Sequence, residues 1–311
     1  MAAQRSALRR GMTRGVGDKV KLKGKTLEIL EPLGKGSFGT VWKGLIEGTI
    51  TAVKAVSLGN AKDKHNLRLM LQNEVQMMKQ FRHPNIVRYY GQFYDKEQQE
   101  VNIIMEFVDG CCLTKLIKSS KTGLDDLETA TISFQVLCGL IYLHENNIIH
   151  RDLKPDNMLV SASSGQLKLI DFGTATQVIE MRTLRRSTVG TPWYTAPEVI
   201  TSSEYSHKAD IWSLGCSFVE MVTGKPPYHD LNAVAALFRM AEDEDPPIPT
   251  GLSPLADSFL HSCLTKDWRQ RENAAVLIKS EFIQSNMQGR NPFELTLRIM
   301  DQRGFSHTPD L

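Results

Sequence analysis

The stretch from His150 to Asn157 reads H-R-D-L-K-P-D-N, and Asp171-Phe172-Gly173 follows fourteen residues after its end. No other feature limits the possible folds as strongly. Both pieces are loops rich in charge, and the sequence around them supplies the frame that carries them. Residues 124–146 place Leu127, Ala130, Ile132, Val136, Leu137, Leu140, Ile141 and Leu143 at helical recurrence, which predicts a long, largely buried helix. Ile148 and Ile149 lead from it to His150, and Leu167-Lys168-Leu169-Ile170 is a short strand that presents Asp171.

The residue types in these loops suit phosphoryl transfer, which asks a protein for positioning and charge neutralisation more than covalent chemistry. Asp152 can orient an acceptor hydroxyl and take its proton. Asn157 and Asp171 offer hard oxygen ligands of the kind Mg²⁺ prefers. Lys154, two residues past Asp152, can steady the moving phosphoryl group. Upstream, Gly34 to Val41 reads G-K-G-S-F-G-T-V. Glycines at 34, 36 and 39 let backbone N–H groups approach phosphate without obstruction. A lone G-x-G-x-x-G also serves dinucleotide folds, but there a helix follows the loop. Here Thr40-Val41-Trp42 continues as a strand, and Leu27, Ile29 and Leu33 are expected on one face of the strand before it. Residues 50–56 form a further apolar strand that contains Lys54, a lysine suited to the α- and β-phosphates and in need of a carboxylate partner. Leu67, Met70, Leu71, Val75 and Met78 predict a helix over residues 63–80, and Glu74 in its second half is the candidate partner.

Taken in this order, the glycine loop, the strand lysine, H-R-D-L-K-P-D-N and D-F-G resemble the signature set of the eukaryotic protein kinases. The resemblance covers about residues 26–283. It implies an α+β fold with two lobes: a small lobe over about 26–109, with a twisted antiparallel sheet and one helix, and a larger, mainly helical lobe over about 110–283. It implies ATP and Mg²⁺ as cofactors, with adenine in the crevice between the lobes. The nucleotide residues it implies are Leu33, Gly34, Lys35, Gly36, Ser37, Phe38, Gly39, Val41, Ala52, Lys54, Met105, Glu106, Val108, Leu159 and Asp171. Met105 takes the gatekeeper position, Glu106 to Gly110 the hinge, and Val41, Ala52 and Leu159 sandwich the ring. The Lys54–Glu74 pair belongs to the active state. Glu198 is expected to pair with Arg271, and Asp210 to bond the backbone of the catalytic loop.

Lys154 and Thr191 together resemble the serine/threonine class, in which that threonine bonds the catalytic aspartate and lysine. The segment Gly190-Thr191-Pro192-Trp193-Tyr194-Thr195-Ala196-Pro197-Glu198 is similar to the Ste group's G-T-P-[YFW]-W-M-A-P-E. It departs where Trp193-Tyr194 inverts the common order and Thr195 replaces methionine. The runs 209–216, 223–228 and 232–238 resemble MAP kinase kinase kinases of the MEK-kinase type. The implied substrate is a MAP kinase kinase, modified on serine or threonine. Arg151 implies activation by phosphate in the activation segment, from an upstream kinase or from a second copy in trans. Ser187 ranks first as the acceptor, Thr188 second, and Thr183 is a further candidate. Two alternatives stand beside this: a catalytically weak kinase-fold scaffold, and another Ste-group kinase acting one step upstream.

Composition sets the outer limits. With 41% hydrophobic and 23% charged residues, and no run of about 18 apolar ones, the chain reads as an intracellular protein, cytoplasmic or nuclear, without a membrane span. Five cysteines, an odd number with no C-x-x-C pair, argue against a disulfide framework or a zinc site. Residues 1–25 hold eight Lys/Arg against Asp18 alone, +7, so the remainder stands at −5 within an overall +2. This basic arm reads as a flexible, solvated linker, and no nucleic-acid partner is expected. The glycines at 11, 15 and 17 interrupt the helix that a mitochondrial presequence would need. Residues 284–311 lack strong periodicity and read as a tail.

Overall fold

The computed structural model describes residues 16–22, 25–36, 39–58, 64–171, 192–201, 206–243, 246 and 248–305. They fall into two compact units. Residues up to Arg82, with Val87–Phe107, make the first; His83–Ile86, with the residues from Val108 onward, make the second.

In the first unit, strands β1 (Lys19–Leu22), β2 (Lys25–Gly36), β3 (Gly39–Ile46) and β4 (Thr49–Ser57) precede helix α1 (Lys64–Met78). Strands β5 (Tyr89–Asp95) and β6 (Glu100–Glu106) follow it. The sheet runs β1-β2-β3-β4-β6-β5 and every neighbouring pair is antiparallel. Leu27, Ile29 and Val53 are fully buried, with Val20, Trp42, Ile46 and Phe93 packed against them. β4 is flanked by β3 and β6, and Thr51 through Val56 are all buried. Burial on both faces explains why, Thr51 and Lys54 apart, this run is apolar on both faces rather than alternating. On α1, Leu71, Val75 and Met78 recur at spacings of four and three and are buried.

Leu33 does not share the buried face of Leu27 and Ile29; it is 44% exposed. Two register shifts in the β2–β3 ladder, between Ile29 and Glu31 and between Pro32 and Gly34, break the alternation. Pro32 has no N–H to give to a ladder, so a bulge is where a proline fits within a strand.

The second unit opens with β7 (Gly110–Cys112) and α2 (Leu113–Ser119), then the long α3 (Asp126–Glu145). Asp125 starts α3 with a capping box: its side chain accepts from Glu128 N, and the Glu128 carboxylate accepts from Asp125 N. β8 (Met158–Ser161) and β9 (Leu167–Leu169) join β7 in a three-stranded antiparallel sheet. Then come α4 (Pro197–Thr201), α5 (Lys208–Thr223), α6 (Ala233–Glu242), α7 (Pro254–Cys263), α8 (Ala274–Leu277) and α9 (Glu281–Met287). Gly224 ends α5 in the left-handed conformation, at φ 79°. Phe218, Phe259 and Phe282, from α5, α7 and α9, pack with ring centroids 5.2–5.6 Å apart.

Both chain ends depart from the sequence reading. The basic arm is not all linker: Lys19–Leu22 pairs with β2 as an edge strand. Four residues are too short for periodicity to register. The expected tail contains helix α10 (Pro292–Gln302), on which Thr296, Ile299 and Met300 are buried. A threonine takes one of its three buried places, beside the apolar Ile299 and Met300. Among the described residues no helix is long and apolar enough to cross a membrane.

Candidate active site

The candidate residues of the first unit gather through the sheet register. Val41 lies opposite Lys54, and Lys54 opposite Ile103; Ala52 lies opposite Met105. Directly paired residues share a face, and so do residues two apart. Val41, Ala52, Lys54 and Met105 therefore line one face of the sheet. Lys54 is only 8% exposed. Gly34 and Lys35 close the β2–β3 hairpin by pairing with Val41 and Thr40, as Gly36 does with Gly39. Gly39 has φ 143°, and a Cβ on it would lie 2.0 Å from Ala55 O, so only glycine fits there. Ser37 and Phe38 lie outside the described residues, and so does the side chain of Glu74, which sits on α1. The Glu106 carboxylate accepts from Arg88 N at 3.0 Å, and Glu106 N–H donates to Arg88 O at 2.8 Å.

In the second unit the catalytic loop is tied down from beneath. Asp210, the third residue of α5, is 1% exposed. Its Oδ2 accepts from His150 N at 2.9 Å and its Oδ1 from Arg151 N at 2.9 Å. His144 Nε2 lies 2.8 Å from Oδ2. Burial by itself would raise the Asp210 pKa, but the hydrogen bond and charge of His144, with the His150 ring and N–H, hold it below the ordinary value. These contacts keep Arg151 in a left-handed backbone conformation, φ 69°, that few non-glycine residues adopt.

Beyond Arg151 the polar groups converge. Lys154 Nζ donates to both Asp152 carboxylate oxygens, at 2.9 and 2.8 Å. Asn157 Nδ2 donates to Asp152 O at 2.7 Å and to Asp152 Oδ2 at 2.8 Å. A 3₁₀ turn over Pro155–Asn157 sets this geometry, with proline at its first position, where a missing N–H does no harm. Asp152 remains about a third exposed while it is held. Asn157 O accepts from Ile170 N at 3.0 Å, so the residue before Asp171 is bonded to Asn157 itself. Asp171 also has a left-handed backbone, φ 59°. Leu159, in β8, pairs with Cys112 and Lys168. Val108 is half-buried at the start of the unit.

Glu198 and Arg271 meet as expected. Arg271 Nη1 donates to Glu198 Oε1 at 2.7 Å and Nη2 to Oε2 at 3.0 Å, with Arg271 fully buried. Thr183, Ser187, Thr188 and Thr191, with Phe172 and Gly173, lie outside the described residues.

Residues 27–283 match the family described as "Protein kinase domain". The chain belongs to the protein kinase family. Its kinase domain is 41% identical over 271 residues to "MAP3K epsilon protein kinase 1" of Arabidopsis thaliana, covering 85% of this chain and 19% of that protein. It is 40% identical over 261 residues to "Cytokinesis protein sepH" of Aspergillus terreus, covering 83% and 19%. To "Mitogen-activated protein kinase kinase kinase 2" of Arabidopsis thaliana it is 38% identical over 274 residues, covering 85% and 42%. The chain thus spans about a fifth of the first two and under half of the third.

The family implies ATP and a divalent cation, and the residues of this kinase domain fit both. Both amide hydrogens of Asn157 point to Asp152, which turns its Oδ1, a hard donor, to the other side. Asp171 follows directly on the backbone bond to Asn157. Among the described residues no three His, Cys, Asp or Glu gather as a metal cage. A divalent cation here would be held by Asn157 Oδ1 and Asp171 together with phosphate and water.

Sequence reasoning missed several supports. His144 is one, and the Tyr194 hydroxyl donating to the buried Glu220 carboxylate is another. Gln135 is a third, fully enclosed in α3. Its signal was present: an amide in the middle of an apolar helix needs partners.

Proposed function

We propose that this chain is an ATP- and Mg²⁺-dependent serine/threonine protein kinase of the MAP kinase kinase kinase type, acting on the activation loop of a MAP kinase kinase. The observation that carries the reading is the grip on Asp152. Lys154 and Asn157 aim its carboxylate while leaving it accessible. A carboxylate fixed in this way can accept a hydrogen bond from an incoming serine or threonine hydroxyl and take its proton as the phosphoryl group arrives. Lys154 Nζ sits where it can also neutralise charge on the transferring group. Asn157 Oδ1 and Asp171 would hold Mg²⁺, which supplies charge neutralisation at the phosphates. Lys54 binds phosphate from the sheet unit, with Glu74 as its partner in the active state. Activation is through Ser187 or Thr188, by an upstream kinase or in trans. The names of two relatives, both MAP kinase kinase kinases, support the cascade position.

The test is incubation with radiolabelled ATP and Mg²⁺, offering a catalytically dead MAP kinase kinase and, separately, a generic basic protein. Label on activation-loop serine or threonine of the MAP kinase kinase supports the whole reading. Label on the basic protein alone keeps the kinase and removes the cascade assignment. No label on either, with Ser187 and Thr188 phosphorylated beforehand, overturns the reading.

A further inference from the structure

Helix α10 lies outside the matched family region, which ends at residue 283. It is nevertheless bound to the long helix α3 at two places. Arg303, the residue that caps α10, donates Nη2 to both Glu128 oxygens, at 2.6 and 2.7 Å. The Thr296 Oγ1 accepts from Gln135 Nε2 at 2.8 Å. Seven residues separate the anchors on each helix, and they run in opposite chain directions. The two helices therefore pack antiparallel, each with two turns between its anchors.

The inner anchor is a saturated polar cluster. Gln135 Oε1 accepts from Leu167 N at 2.8 Å and Asn85 Nδ2 at 3.0 Å, and Nε2 donates to Gly165 O at 3.2 Å as well as to Thr296. All four hydrogen-bonding positions of the amide are filled. Asn85 Nδ2 also donates to Leu167 O at 2.9 Å, and Asn85 O accepts from Leu169 N at 2.9 Å. The Thr296 hydroxyl donates to Pro292 O at 2.8 Å, so toward Gln135 it can only accept. Gln135, Asn85 and Thr296 are each at most 3% exposed, so no water replaces a lost partner. Gly165, at φ 68°, brings the hairpin turn against the helix: a Cβ there would lie 2.1 Å from Phe293 O.

These contacts converge on the β8–β9 hairpin. Asn157 stands at its entrance and Asp171 two residues past its exit. We infer that α10 is a positioning element of the kinase domain: Thr296, acting through Gln135, fixes the hairpin register that brings Asn157 and Asp171 together. The metal role of those two residues rests on the proposed function; the clamp on the hairpin does not.

The test uses the full chain with Thr296→Val, which keeps the volume and removes the acceptor, and Thr296→Ser, which restores it. Arg303→Met is the second variant. It releases the far end of α10 without touching Gln135, and it carries the test if Thr296→Val fails to fold. The first readout is hydrogen exchange at the amides of Leu167 and Leu169, against those of α5 as internal control. The second is the Mg²⁺ concentration for half-maximal rate, read apart from kcat. Thr296→Val is expected to speed exchange at Leu167 about tenfold and raise the Mg²⁺ requirement several-fold, with α5 unchanged. Thr296→Ser should match the parent, and Arg303→Met should show a smaller rise at Leu167. Unchanged Leu167 exchange in the folded variants, or a serine variant as loose as the valine one, overturns the inference. Absence of kinase activity in the parent would sink the proposed function instead, and the exchange result would still decide the clamp.

Discussion

Replacing Glu198 with alanine leaves a guanidinium with nowhere to go. Arg271 is fully buried and all five of its N–H groups are engaged: two with Glu198, the others with Thr265 O at 2.8 Å, Lys208 O at 2.9 Å and Lys266 O at 3.3 Å. Its charge also lies 5.0 Å from the Trp212 ring centroid. Removing the carboxylate strips away the only anion of this set, and burial keeps water from replacing it. Stranding one member of a buried pair costs about 3–5 kcal/mol. At about 2–4 °C per kcal/mol for a unit of this size, Glu198→Ala should lower the melting temperature by about 6–20 °C. Chemical denaturation of Glu198→Ala, Arg271→Met and the double variant gives the coupling. The double variant should lose less than the sum of the singles by about 2 kcal/mol, because it strands no charge. A loss under about 1 kcal/mol for Glu198→Ala, or strict additivity, would refute the argument that the pair fixes this end of the activation segment.

Two further expectations concern pH and phosphate. His150 is fully buried and burial lowers its pKa from 6.5, so the folded state binds fewer protons than the unfolded chain at mildly acidic pH. Its contribution is complete above 6.5 and is lost as pH falls below it, so the melting temperature should drop from pH 7 to pH 5; a flat profile would contradict this. Asp210, lowered from 3.8, adds a second loss only below that value. Ser187→Ala should reduce activity at least roughly tenfold, about 1.4 kcal/mol of transition-state stabilisation, at unchanged melting temperature. Full activity of an unphosphorylated Ser187→Ala/Thr188→Ala protein would refute the phosphate requirement.

The parts of this fold that were legible in sequence are those whose cause is local. Leu71, Val75 and Met78 sit at helix spacing and are buried; the acid–base loops read directly as chemistry. Asp210 and Arg271 were placed by resemblance, since nothing local reveals partners some sixty or seventy residues away. Leu33 was misread because a bulge cancels the parity that the alternation rule assumes. Helix α10 is legible in part: Ile299 and Met300 are buried apolar positions, but Thr296 and Arg303, which tie it to α3, are polar and carry no apolar signal. Gln135 carried the hint, as a buried amide whose partners lie 30, 32, 50 and 161 residues away in sequence.

The central claim is that Asp152, aimed by Lys154 and Asn157, is the group that takes the acceptor proton. Single-turnover phosphoryl transfer by the parent and by Asp152→Asn, at saturating nucleotide, tests it most directly, with nucleotide affinity measured alongside. The account predicts a rate lower by about 10²–10⁴-fold for the asparagine variant, with nucleotide affinity and melting temperature unchanged. A variant that transfers phosphate at the parent rate would show that the proton goes elsewhere and that the grip on Asp152 is only structural.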